Sequence, residues 1–293
     1  DMRERDLLVE QDGRLALDAS VDLHVLQSTY PDFDAAERRR IAALTDALRL
    51  LLEAAALCGR AFTVAEVAAG LDQTLVQAAQ GLRQLERTDA GLVVDISDRP
   101  GWFRFVSSLT PEIIRRDLSH AAGRREIARA IHTRIAADRT GVVPAERRLM
   151  HGIEAGSEAA PDIVRAAAEV AADHAARCAW PELEALLEQV DPFLASGSTT
   201  AGTDLDLARV RMLRAVGGQT DRERITHITS RRIDQLLDHE PAGPRLFELI
   251  YLWAESLYEE HDASEHEVLA ARAEVLSRRV SEPVSKALLR FYV

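Results

Sequence analysis

A chain of 293 residues is long enough for about two domains of roughly 150 residues each, and its formal net charge of -12 argues against a uniformly basic nucleic-acid-binding surface. Hydrophobic residues make up 47% and aromatics 5%, with alanine and leucine dominating the apolar set; small, unbranched side chains favour helix over strand, so a mainly α fold is predicted. The two cysteines, Cys58 and Cys178, have no CxxC spacing, and neither a run of about 18 apolar residues nor a signal peptide is present, so no zinc or redox motif, no membrane span and a cytoplasmic location are expected.

In chain order, two short apolar runs flank Asp12-Gly13, a hairpin signal within residues 6 to 17. Residues 1–33 are expected to form an N-terminal linker or hairpin. The opening Asp1-Met-Arg-Glu-Arg reads as the start of an excised fragment. Asp34 is placed to cap a long helix, with Glu37 three residues on as its capping-box partner. Ile41, Leu44, Leu48, Leu51 and Leu52 recur at helical spacing, and Gly59 is expected to end that helix. Thr63 is expected to cap a short helix that stops at Gly70. A further helix is predicted from Thr74 to Arg87, with Leu75, Ala78, Ala79, Leu82 and Leu85 on one face. Residues 92–96 and 102–106 are β-rich and flank the turn-forming stretch Ser97-Asp-Arg-Pro-Gly101. Helix, helix, hairpin is the order of a winged-helix domain, expected over residues 34–140 with a trailing helix.

From Val106 onward the pattern is helical. Breaks fall near residues 121–123, 140–144, 156–161, 180–181, 196–202, 217–218, 240–244 and 262–264. The segments from Pro161 pair as 161–178 with 181–195, 203–216 with 220–239, and 244–260 with 264–280. The step of about 40 residues fits an α-solenoid of tetratricopeptide-like helical hairpins over residues 141–293, although the strict 34-residue consensus is not visible. In the last pair Phe247, Ile250, Tyr251 and Ala254 share a predicted core face, with Trp253 and Leu257 widening it or lining a concave groove for a peptide or helix. The apolar end Phe291-Tyr-Val293 predicts that more repeats follow in the natural protein.

Leu52, Ala55, Ala56, Gly59 and Phe62, then Phe105 and Leu109, then Ile131, His132, Ile135 and Ala136 follow a recurrent pattern. Over roughly residues 40 to 140 the chain thereby resembles the segment that follows the nucleotide-binding core in bacterial signal-transduction ATPases with numerous domains, the STAND class that includes large LuxR-type regulators. The resemblance implies a non-catalytic regulatory segment that couples an NTPase switch to signal or partner binding on helical repeats. It implies a protein or peptide partner, or the adjacent NTPase domain itself, and no cofactor of its own. The family's usual histidine after the wing is Ser107 here, a departure at the position that faces the nucleotide-binding core. A G-x-x-x-x-G-K-[ST] phosphate loop is absent, so nucleotide hydrolysis by this segment is not expected.

Other chemistry is weaker. Gly156-Ser157 and Gly197-Ser198 lack the Gly-x-Ser-x-Gly elbow. Glu259, Glu260, His261, Glu265 and His266 do not have zincin spacing and read as a helix-to-helix turn with Ser264 as its cap. The alternative function is DNA binding by the winged helix, in which Gln77, Gln80, Arg83, Gln84 and Arg87 face the duplex and Arg99 and Arg104 lie on the wing, opposed by Asp72, Glu86, Asp89, Asp95 and Asp98. The residues expected to contact a partner or neighbouring domain are Arg83, Arg87, Ser107, Arg124, Arg125, His132 and Trp253. No catalytic residue and no metal ligand is expected.

Overall fold

The computed structural model describes residues 8–11, 14–17, 31–88, 91–120, 122–194, 200–216, 219–239, 244–258, 263–280 and 283–291. The fold is mainly helical, as the composition predicts, and the chain divides into two compact units, residues 1–143 and 144–293.

In the first unit, β1 (Leu8–Gln11) pairs antiparallel with β2 (Arg14–Leu17), Leu8 opposite Leu17 and Gln11 opposite Arg14. The predicted Asp12-Gly13 turn lies outside the described residues. The long helix expected from Asp34 to Gly59 is two helices, α1 (Pro31–Ala42) and α2 (Asp46–Leu57). The reason is local hydrogen bonding. Thr45 is extended and its side chain accepts from the Leu48 amide, which starts α2 afresh. The Arg49 guanidinium donates to the carbonyls of Ala42 and Leu44, satisfying acceptors at the end of α1. Asp34 is therefore inside α1, not its cap, and bonds to other elements.

α2 ends at Cys58, and Gly59 follows at φ +109°, where a side chain is strained. Residues Ala61–Thr63 form β3, a three-residue strand that sequence periodicity does not reveal. α3 (Val64–Leu71) opens with a complete capping box: Thr63 Oγ1 accepts from the Glu66 amide, and the Glu66 carboxylate accepts from the Thr63 amide at 2.7 Å. Gly70 does not stop this helix. It lies within it, and Asp72 in the left-handed region (φ +54°) makes the end. The glycine has another purpose: a Cβ there would lie 2.8 Å from Ile131 Cγ2 and 3.2 Å from Ile135 Cδ1.

α4 (Leu75–Arg87) starts at a second capping box, Thr74 with Gln77. Its inner face is Ala78, Leu82 and Leu85; Leu75, predicted to be inside, is exposed. β4 (Val93–Asp95) and β5 (Trp102–Phe105) then close a three-stranded antiparallel sheet in the order β3-β5-β4, with Phe62 opposite Phe103 and Val93 opposite Phe105. Phe62 packs on Phe105 with ring centroids 5.3 Å apart, which ties the sheet to the helical core. α5 (Leu109–His120) packs on α2, and α6 (Ala122–Ala136) packs across α3. The core is the alanine and leucine face of α2 with Phe62, Val67, Leu82, Leu85, Phe105, Ile114, Ile131 and Ile135.

The second unit holds α7 (Ala145–Ala155), α8 (Ala160–Ala176), α9 (Trp180–Leu194), α10 (Thr200–Val216), α11 (Gln219–His239), α12 (Pro244–Tyr258), α13 (Ala263–Arg279) and α14 (Pro283–Phe291). Pro161 sits in the first turn of α8, where its missing amide costs nothing. Each helix packs on a near neighbour in sequence, and α8, α10, α12 and α14 also touch in succession, forming one row. α9 lies against α8 and α10, and α11 against α10 and α12. The third expected pair differs, because α13 makes its main contact with α14 rather than with α12. α12 is also rotated from the expected face: Ile250, Trp253 and Ala254 are buried, whereas Tyr251 is exposed and its hydroxyl bonds to Glu255.

Candidate interaction face

α4 is held by its apolar face and by its cap, which leaves its opposite face to solvent. Gln77, Gln80, Arg83, Gln84 and Arg87 are exposed there, with Leu75 and Val76 at the start of the helix. The spacing of Arg83 and Arg87 puts both guanidinium groups on one side, one turn apart. Among the described residues neither has an ion-pair partner. Glu86 lies on the flank and accepts from the Asp95 amide at 3.1 Å, so this acid fastens α4 to β4 instead of neutralising the arginines.

The β4-β5 turn is built by backbone hydrogen bonds from Ile96 to Trp102, Arg99 to Ile96 and Trp102 to Arg99, all between 2.9 and 3.0 Å. Arg99 lies over the Trp102 ring at 6.0 Å from its centroid, a cation–π contact that leaves the guanidinium accessible. Arg104 projects from β5 into solvent. Arginine and glutamine side chains are donors suited to carboxylates, phosphates and base or amide edges. Asp72 and Asp98 are exposed in the same module, and Asp89 lies outside the described residues.

The other expected contact residues do not join this face. The Ser107 hydroxyl accepts from the Leu109 amide at 3.2 Å and so caps the entry to α5, a local role. His132 is 8% exposed and does not present its ring to solvent. Its neighbours Ile131 and Ile135 pack on α3 at Gly70. Arg125 is exposed on α6, while the Arg124 side chain lies outside the described residues. Trp253 is 2% exposed in the core of the second unit, so it is packing and lines no groove. Of the acid and histidine cluster at 259–266, residues 259–262 and the side chains of 263–266 lie outside the described residues, and the helix Ala263–Arg279 places Ser264 inside α13 rather than at its cap.

In the second unit several charged side chains pair between helices. Arg209 pairs with Asp191, Arg211 with Glu248, Arg214 with Glu255, and Arg245 with Asp204 at 2.5 Å. Asp206, 1% exposed, receives Arg232 at 2.6 Å, and Arg231 approaches at 3.7 Å. Among the described residues, no helix is long and apolar enough to cross a membrane. No family model matches the chain, and no curated protein or solved structure matches it either.

Proposed function

We propose that the chain is a non-catalytic regulatory and interaction segment of a cytoplasmic signal-transduction regulator. In this reading the first unit is a winged-helix module and the second an α-solenoid of tetratricopeptide-like hairpins. The segment couples an adjacent NTPase switch to a signal, protein or peptide bound on the repeats. The observation that supports it is the path from α2 through β3, α3 and α4 to β4 and β5, with the strand order β3-β5-β4, followed by hairpins stacked in a row. A module with one helix face free and a stack whose helices touch only near neighbours suit a role in transmitting arrangement. Coupling would proceed by population shift, in which a ligand that prefers one arrangement biases the switch.

The test uses the full-length protein. Reversing charge at Arg83→Glu with Arg87→Glu is expected to change nucleotide turnover several-fold, about 1 kcal/mol of coupling, without lowering the melting temperature. Unchanged turnover, or a full-length sequence without an upstream phosphate loop, overturns the reading. A second reading, a DNA-binding winged-helix factor with a helical sensor domain, is favoured by the exposed Arg83 and Arg87 among the glutamines of α4, which have no ion-pair partner among the described residues. Duplex affinity measured from about 50 to 200 mM salt discriminates, since phosphate contacts give a steep salt slope and a packing face gives none.

A further inference from the structure

The helix α1 is attached differently from the adjoining α2. Its face toward α5 carries Asp34, Glu37 and Arg38, spaced one turn apart. Arg38 donates to both carboxylate oxygens of Asp117, at 2.5 and 2.9 Å. Asp34 accepts from Arg116 and lies 3.9 Å from Arg38. Glu37, 3% exposed, accepts from the Thr110 hydroxyl with one oxygen and from Arg40 at 2.7 Å with the other. The hydrogen bond that Arg38 donates to Asp117 raises the Arg38 pKa above its ordinary value, against the opposing effect of burial. Among the described side chains of α1, which begin at Asp34, Ala35 and Ala36 are exposed and Ile41 in the last turn is a part-buried apolar contact. The adjoining α2, by contrast, buries Leu48, Leu51, Leu52 and Ala54 to Ala56.

We propose that α1 is an ionic latch: a helix seated on α5 by charge, which leaves as a unit while α2 to α6 and the sheet stay folded. Arg38 and Arg116 keep about two fifths of their side-chain surface in solvent (43% and 40%), so salt reaches these pairs directly. Exposed pairs are individually weak and are screened beyond about 10 Å at 0.1 M salt. Apart from the buried Glu37–Thr110 hydrogen bond, the described side-chain contacts of α1 with α5 are such pairs, which places the helix toward the low end of local stability. The break at residues 43–45, with α2 capped independently by Thr45, lets the separation happen without unwinding α2. The latch goes beyond the functional reading above and does not depend on it.

Hydrogen exchange on the whole chain tests it. Raising salt from about 0.05 to 1 M is expected to lower protection of the amides at 37–42 about tenfold, the loss expected from a few exposed pairs, with residues 50–57 unchanged. Asp117→Arg should reproduce that loss at low salt, and Arg38→Asp with Asp117→Arg should restore most of it. Circular dichroism establishes that each variant is folded. Salt-independent protection of α1, exchange of α1 and α2 always at one common rate, or failure of the double exchange to restore protection would each overturn the latch.

Discussion

Gly70 shows what one residue does when its neighbours are far along the chain. In sequence it looks like a helix stop. In the fold it is the crossing point of α3 and α6, where any side chain meets Ile131 Cγ2 at 2.8 Å. That methyl belongs to a β-branched residue whose χ1 is nearly fixed, so it cannot swing aside. Gly70→Ala is therefore expected to destabilise by about 1–3 kcal/mol, the range for overpacking, despite the better helix propensity of alanine. The thermal melt checks this, and pairing it with Ile131→Ala should recover part of the loss. Gly81→Ala makes the instructive contrast. Its Cβ would meet Leu51 Cδ1 at 2.6 Å, the far end of a flexible side chain, so the cost should be smaller than at Gly70.

Among elements, the two capping boxes have the same sequence logic and different surroundings. Thr63 and Glu66 are buried, and the Glu66 carboxylate accepts from both the Thr63 amide and its hydroxyl. Thr74 and Gln77 make the equivalent bonds in solvent. Removing a buried acceptor leaves donors that water cannot reach. Glu66→Ala should thus cost about 1–3 kcal/mol, whereas Gln77→Ala should cost about 0.5 kcal/mol or less, as for an exposed helix contact. Urea midpoints of the two variants provide the comparison, and equal shifts would show that burial is not what separates them. The helix starts at Thr63 and Thr74 were legible because caps are local chemistry. The start of α2 at Thr45 was not, since the apolar spacing of Ile41, Leu44 and Leu48 continues straight through the break. β3 was missed for a related reason: three residues are too few for a period, and its partner β5 lies about forty residues away.

For the molecule as a whole, the charge balance of -12 says little about where charges sit. The second unit uses several of its described arginines to join helices, and Asp206 is the most buried acid in that set. Its position between α10 and α11 makes the pair with Arg232 a determinant of how those helices meet. Asp206→Ala should destabilise by about 3–5 kcal/mol because it strands the Arg232 cation. Asp206→Leu combined with Arg232→Met should recover most of that loss, since apolar pairs replace buried ion pairs at little cost. Chemical denaturation of both variants measures the difference, and a double variant as unstable as the single one would refute the account. The same contrast runs through the candidate face. Arg83 and Arg87 share a side of α4 by spacing alone, which sequence displays, but their lack of an acidic partner among the described residues depends on where every other helix lies. Tyr251 leaves its expected core face for that reason too, and Trp253 takes the core side of its two expected places, because amphipathic spacing defines a stripe while packing of α12 against α10, α11 and α14 sets its rotation. Helical content, the caps at Thr63 and Thr74, Gly59 and the breaks between most helices follow from interactions within a few residues, and the amino-acid order carries them. The crossing at Gly70, the third strand, the seat of α1 on α5 and the burial of His132 and Trp253 come from contacts between distant segments, which no local pattern encodes.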